Sequence, residues 1–258
     1  MITRYTEQHE ECEILKVGRC ACGSTHAGGR AVNEDALVLR RLKDGVLLMV
    51  ADGLGGHSAG EEASRIAVDT LCRVMESGYQ QGMGASDVQD LLSRGHRDAH
   101  ERILEHATGD REGMGTTLVS AFARGAHAVI ANTGDSRAQV IGERIAFTTR
   151  DHSLVQGLVD RGDISRGAAR NHPLRHIVTR ALGVDFEVDL YEVRLDRREV
   201  LLLSSDGLHD YVDDTLLVQA AGEGDPCAVV RHLMHAALPV TQDNLTVCVY
   251  KDVSRSGS

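Results

Sequence analysis

Three short apolar segments follow one another in mid-chain with no helix-length spacer: TTLVSAFARG (116–125), AHAVIANTG (126–134) and SRAQVIG (136–142). Strands joined by so little chain pair antiparallel, because a parallel crossover needs a dozen residues or more. Further strand-like runs span 13–22, 35–42, 45–51, 186–195, 199–204 and 244–250, again in groups. Asp44-Gly45 reads as a tight hairpin turn between two of them. Most runs are apolar throughout, which suits strands covered on both faces. The expected fold is therefore α+β: a four-layer α-β-β-α sandwich, two stacked antiparallel sheets flanked by helices.

The covering helices have their own signature. From Ser58, apolar residues recur at Ala59, Ala63, Ile66, Ala67, Leu71, Val74 and Met75, which is helical spacing. Ser58 and Glu61 form a capping box, and a second helix from Ser86 to about 106 has Gln89 in the same role. Helices are also expected at 153–161, 213–221 and 226–238.

With 258 residues, 42% of them hydrophobic, the chain is long enough for one well-buried core. One domain is expected over 13–252, with loose tails at 1–12 and 253–258. A formal charge of −10 argues against nucleic-acid binding, which demands a basic face. The apolar runs are too short to span a bilayer, and no signal segment opens the chain, so a cytoplasmic monomer is expected. The six cysteines (Cys12, Cys20, Cys22, Cys72, Cys227 and Cys248) lack C-x-x-C pairing and read as ordinary buried thiols. Cys20 and Cys22 are expected on one face of a strand.

The apolar runs end in an unusual way. VLLMVADGLGGH (46–57) delivers Asp52-Gly53, and VLLLSSDGLHD (200–210) delivers Asp206-Gly207. Asp-Gly is first of all a turn signal. Two more acidic groups sit at strand ends, however: Glu34-Asp35 in NEDA (33–36), and Asp243 directly before the last strand. Brought to one end of a stacked-sheet core, these carboxylates would repel one another unless cations joined them. Oxygen ligands without His or Cys select Mg²⁺ or Mn²⁺. The residues alone therefore point to a carboxylate metal site.

Taken in order, Arg30-x-x-NEDA, ADGLGGHSAGEEAS (51–64), GMGTTL (113–118), TGDSRAQVI (133–141), DHSLV (151–155), TRALG (179–183), LLLSSDGLHD (201–210) and DNLTV (243–247) resemble the metal-dependent serine/threonine protein phosphatases of the PPM, or type 2C, family in its compact bacterial form. The resemblance covers about residues 14–251. It implies a two-sheet sandwich with two Mn²⁺ or Mg²⁺ ions at one end. By it, Asp52 bridges both ions and Asp206 and Asp243 hold the first. The Gly53 carbonyl and the Glu34-Asp35 pair serve the second, directly or through water, and Asp110 holds a weaker third ion. Arg30 grips the substrate phosphate. A water shared by the two ions attacks phosphorus in line with the departing serine or threonine oxygen. The general acid is left open between His57 and a metal-bound water, since Leu54 stands where some relatives carry a histidine.

The resemblance also implies phosphorylated proteins as partners, among them a serine/threonine kinase that this enzyme opposes. A non-catalytic phosphoprotein-binding scaffold and a hydrolase of small phosphate esters are the alternatives. Asp135 is expected to tie down a hairpin, His152 to cap a helix or fill a polar niche, and Thr116 and Thr117 to be strand residues near the site. The stretch 150–180, which contains the family's flap (about 153–180), has six arginines against three acids. Arg161, Arg166, Arg170 and Arg175 either meet acidic peptide flanks or pair with nearby carboxylates.

Overall fold

Two antiparallel sheets lie face to face in the computed structural model, which describes residues 3–5, 13–55 and 58–253. The larger sheet comprises β1 (Thr3–Tyr5), β2 (Glu13–Val17), β3 (Ala21–His26), β10 (Arg137–Ile141), β11 (Ile145–Thr148), β13 (Val200–Ser204) and β14 (Leu245–Tyr250). Its order is β1-β2-β3-β14-β13-β10-β11. The smaller sheet comprises β4 (Ala36–Leu42), β5 (Gly45–Ala51), β8 (Leu118–Arg124), β9 (His127–Thr133) and β12 (Asp189–Arg194), in the order β12-β9-β8-β5-β4. A two-stranded ribbon, β6 (Gly53–Leu54) with β7 (Gly115–Thr116), stands at the end of β5.

The strands alternate between two cores, as the pleat requires. Leu48 and Val50 of β5 meet Leu201, Leu203 and Cys248 between the sheets. Leu47 and Met49 face outward and are covered by α1 (Ser58–Gly78) and α2 (Ala85–His106). On the other side Leu202, Val247 and Val249 pack under α6 (Asp214–Ala221) and α7 (Pro226–Ala237). Strands β5, β13 and β14 are buried along their whole length. Truncating one of their leucines to alanine should cost about 2–5 kcal/mol. That rigidity matters because β5 and β13 lead straight into Asp52 and Asp206.

Several local expectations are corrected. Thr3–Tyr5 is not a loose tail but pairs antiparallel with Ile14–Lys16. The single strand expected at 13–22 is broken at Gly18, whose φ of +58° turns β2 into β3. Cys20 consequently falls in the turn and packs between the sheets, while Cys22 faces α7, so the two do not share a face. Cys22 and Cys227 are joined in a disulfide rather than being separate thiols, with Cα atoms 5.1 Å apart. The hairpin loop is Lys43-Asp44, with Gly45 already paired in β5. The α2 capping sits two residues early: Asp87, not Gln89, accepts the backbone N–H of the cap residue Gly84.

The chain between β11 and β12 carries α3 (Leu154–Asp160) and the short α4 (Arg166–Arg170). Its two ends are tied together, because Leu154 N donates to Ile177 O and Thr179 N donates to His152 O. The segment is thus a closed excursion beside the one-turn helix α5 (Asp206–His209).

Candidate metal centre

Asp52 follows β5, and its backbone is fixed from both sides. Its N–H donates to Thr117 Oγ1 at 3.0 Å, while its carbonyl accepts from Thr116 Oγ1 and the Thr117 N–H, both at 2.9 Å. Gly53 is demanded by packing, since a Cβ there would collide with the Gly60 carbonyl at the start of α1. Asp206 opens α5 directly after β13 and Ser205. Gly207 lets that turn lie against the Asn244 carbonyl, where no Cβ could fit.

Asp35 is buried, and its Oδ2 accepts from Ser205 Oγ at 2.8 Å and Thr246 Oγ1 at 2.6 Å. Thr246 in turn pairs with Thr25 at 2.7 Å, and Asn33 donates to Thr25 Oγ1 at 2.9 Å. Asp35 and Asp52 are close enough to affect each other's ionisation. Asp243 Oδ2 accepts from Arg30 Nη2 at 2.7 Å. Glu34 lies against Gly60, with its carbonyl accepting from Ser64 Oγ at 2.6 Å. Asn244, which sequence reasoning passed over, organises this corner. Its Oδ1 accepts the Glu34 N–H at 2.9 Å, and its Nδ2 donates to Ala27 O and Val32 O at 2.9 and 2.8 Å. The loop that carries Arg30 is thereby fastened to the strand that follows Asp243.

These carboxylates perturb one another. Loss of surrounding water, then the charges of Asp35 and Asp206, hold the Asp52 pKa well above the usual carboxylate range. Asp206 is raised likewise by burial and then by Asp135 and Asp243. Burial pushes Asp35 up to about 6 despite its hydroxyl donors. Asp135 is raised to about 7 by burial and the charge of Asp151. Beyond any turn role, Asp135 is therefore one of the charges felt at the centre. The available signal was a third apolar strand, β9, ending in Gly134-Asp135. Asp110, by contrast, sits in an exposed turn at Gly109–Arg111. His57 lies outside the described residues.

The donor set fits hard divalent cations. Oδ1 of Asp35 and Oδ1 of Asp206 are buried without a hydrogen-bond partner, an arrangement that costs free energy unless something positive lies opposite. The other acids of the group supply further oxygens, as Mg²⁺ or Mn²⁺ requires.

The Protein phosphatase 2C family model matches residues 22–223. The chain belongs to the protein phosphatase 2C family. A serine/threonine phosphatase, stp, from Listeria welshimeri is 38% identical over 177 residues, covering 66% of this chain and 69% of that protein. The serine/threonine protein phosphatase PstP of Mycobacterium tuberculosis is 33% identical over 239 residues, 92% of this chain but 45% of that longer protein. The crystal structure of Stp1 from Staphylococcus aureus superposes with a TM-score of 0.83 at 36% identity, covering 90% of this chain and 94% of the other. The α+β sandwich is thus the architecture of this phosphatase family.

Around the centre the remaining expectations sort physically. His152 fills a buried polar niche, accepting the Gly134 N–H at Nδ1 (3.2 Å), with Nε2 3.3 Å from Asp189. The α3 cap is Ser153 instead, whose Oγ accepts from Gln156 N at 3.2 Å. Most of the flap arginines are paired: Arg161 with Asp163, Arg170 with Asp214 and Arg175 with Asp210. Arg166 lines a cavity of about 580 Å³ that runs from the flap to Asp206 and Asp135. Among the described residues, no helix is long and apolar enough to cross a membrane.

Proposed function

We propose that this centre hydrolyses phosphoserine and phosphothreonine in protein substrates, opposing a serine/threonine kinase. The observation that carries the reading is the convergence of Asp35, Asp52, Asp206 and Asp243 from four separate strand ends, with two carboxylate oxygens buried and unpartnered. Asp52 would bridge two Mn²⁺ or Mg²⁺ ions, Asp206 and Asp243 would hold the first, and Gly53 with Glu34 and Asp35 would serve the second. Bound there, such a pair supplies a water acidic enough to act as nucleophile near neutral pH.

The chain's own residues do the rest. Arg30, exposed beside Asp243, offers a planar and permanently charged fork that suits two phosphate oxygens. Thr116 and Thr117 hold Asp52 still, and Asn244 keeps the Arg30 loop in register with Asp243. Fixing these groups before substrate arrives lowers the reorganisation needed during the reaction. No covalent phosphoenzyme is invoked.

The deciding assay is phosphate release from a phosphothreonine peptide with Mn²⁺ and after stringent chelation, using wild type and Asp52→Asn. Mn²⁺-dependent turnover that Asp52→Asn abolishes supports the reading. Undiminished turnover after chelation removes it.

A further inference from the structure

The chain leaving the flap is clamped between two elements before it enters β12. Leu182 pairs with β7, its N–H donating to Thr116 O at 2.9 Å and its carbonyl accepting from Thr116 N at 3.0 Å. Ala181 N donates to Asp185 O at 2.9 Å, so Leu182 and Gly183 sit within a closed turn. Gly183 has a φ of +83° and lies so close to Ile103 and the Met114 carbonyl that no Cβ would fit. Its N–H donates to Nδ1 of His100, on α2, at 3.0 Å. The same imidazole stacks on Phe186, with ring centroids 5.1 Å apart. One side chain of α2 therefore holds the turn at two points. Because Nδ1 accepts, the ring is neutral and carries its proton on Nε2.

Thr116 connects this turn to the carboxylates, since its Oγ1 donates to the Asp52 carbonyl at 2.9 Å while its backbone holds Leu182. We propose that His100 is a positioning residue of the metal centre: it anchors the chain leaving the flap onto Thr116, and through Thr116 it steadies Asp52. The inference rests on the phosphatase reading above and gives a role to a side chain which that reading leaves unused. Protonation turns Nδ1 into a donor facing the Gly183 N–H, so the anchor opens as pH falls. The charges that reach His100 are Glu101 on α2 and Asp185 on the turn, and Asp185 is itself paired with Arg180 at 2.9 Å. Ile103 and Met114, which close on Gly183, carry none. Burial outweighs both acids and holds His100 below its ordinary 6.5. The anchor is therefore intact above pH 6.5 and is lost as pH falls through the lowered folded value.

The test uses the full chain and two variants. His100→Asn places an amide oxygen near the position of Nδ1 and cannot gain charge, whereas His100→Phe keeps a ring against Phe186 but has no acceptor. Hydrogen exchange of residues 181–186 in the metal-free protein, read by mass spectrometry as protection relative to an unfolded peptide of the same sequence, reports the anchor directly. Phosphate release from a phosphothreonine peptide at saturating Mn²⁺ reports its consequence. At pH 7.5 His100→Phe should lose about fivefold in protection and in kcat, the scale of one hydrogen bond, with KM little changed. His100→Asn should keep both. At pH 5.5 wild-type protection should fall toward that of His100→Phe, and the kcat ratio of His100→Asn to wild type should grow about fivefold. Equal protection in wild type and His100→Phe at both pH values would overturn the anchor alone. Lost protection with unchanged kcat would overturn the positioning role. A wild type that releases no phosphate with Mn²⁺ would overturn the phosphatase reading, and the positioning role with it.

Discussion

Asn244 Oδ1 accepts the amide proton of Glu34 at 2.9 Å, joining two residues 210 positions apart. The same side chain donates to the carbonyls of Ala27 and Val32, so one buried amide closes both ends of the Arg30 loop. Asn244→Ala leaves the Glu34 N–H and the Val32 carbonyl without their partner and takes one of two donors from the Ala27 carbonyl. It should destabilise the fold by about 2 kcal/mol or more. It should also lower kcat/KM, because Arg30 is no longer held beside Asp243. Asn244→Asp should restore little: it keeps an acceptor for Glu34 but points a carboxylate oxygen at two carbonyls. Urea titration and peptide kinetics on both variants check this, and an unchanged kcat/KM in Asn244→Ala would remove the positioning role.

The carboxylates that make the site also strain it. Asp206 is crowded by Asp135, Asp243 and Asp210, with burial as the leading penalty on its charge. Asp206→Asn removes that charge and offers an NH₂ to the surrounding oxygens. The variant should lose at least about a hundredfold in activity, in line with the loss of a key electrostatic group in other enzymes. Its metal-free Tm should nevertheless rise by several degrees, given about 2–4 °C per kcal/mol for a chain of this size. Mn²⁺ should raise the Tm of wild type far more than that of the variant. A lower metal-free Tm in Asp206→Asn would contradict the repulsion argument.

Burial, with the neighbouring charges behind it, gives a pH signature in the metal-free protein. Asp35 titrates at about 6 and Asp135 at about 7 in the folded state, above their unfolded value of 3.8. Asp52 and Asp206 are raised too, so four folded-state carboxylates bind protons that the unfolded chain has lost between pH 4 and 7. Their contribution to stability falls as pH rises through that window. His96, His100 and His209, held neutral mainly by burial, oppose it below pH 6.5 but are fewer. With EDTA present, the Tm should be higher near pH 5 than near pH 7.5. Saturating Mn²⁺ should flatten or reverse the trend, because the ions favour the ionised carboxylates. A metal-free protein more stable at pH 7.5 than at pH 5 would show that burial and neighbouring charge do not hold these carboxylates above their ordinary range.

Much of this arrangement is legible in the chain because it rests on strand ends. The apolar runs that lead into Asp52 and Asp206 announce both the sheets and the acids they carry. What escaped was whatever depends on partners far away in sequence. Asp135 looks like turn chemistry until β9 is seen to end beside Asp206. Asn244 carries no catalytic signature, since its role exists only once Ala27, Val32 and Glu34 surround it. The edge strand β11 alternates partly buried and exposed residues over just four positions, too few for a periodic signal. The flap arginines showed a local excess of charge, but their partners Asp210 and Asp214 come from the next part of the fold.

The Cys22–Cys227 bond belongs to the same class of long-range facts, and it makes the final prediction. Cys22 lies in β3, whose chain continues to Arg30, and Cys227 lies in the first turn of α7, whose chain continues to Asp243. The bond therefore ties together the two segments that supply the Arg30–Asp243 pair. Closing a loop with a sequence separation of 205 restricts the unfolded chain, by up to about 5 kcal/mol on the chain-entropy estimate. Reductant should thus lower the urea midpoint of wild type and leave that of Cys227→Ser unchanged. In unfolded, non-reduced protein, an alkylating reagent should modify Cys20, Cys72 and Cys248 but spare Cys22 and Cys227. Cys227 sits on α7 and Cys22 beneath it, away from the carboxylates, so Cys227→Ser should keep its Mn²⁺ affinity and lose mainly stability. Alkylation of all six cysteines without reduction would show that the thiols are unpaired and that β3 and α7 are held by packing alone.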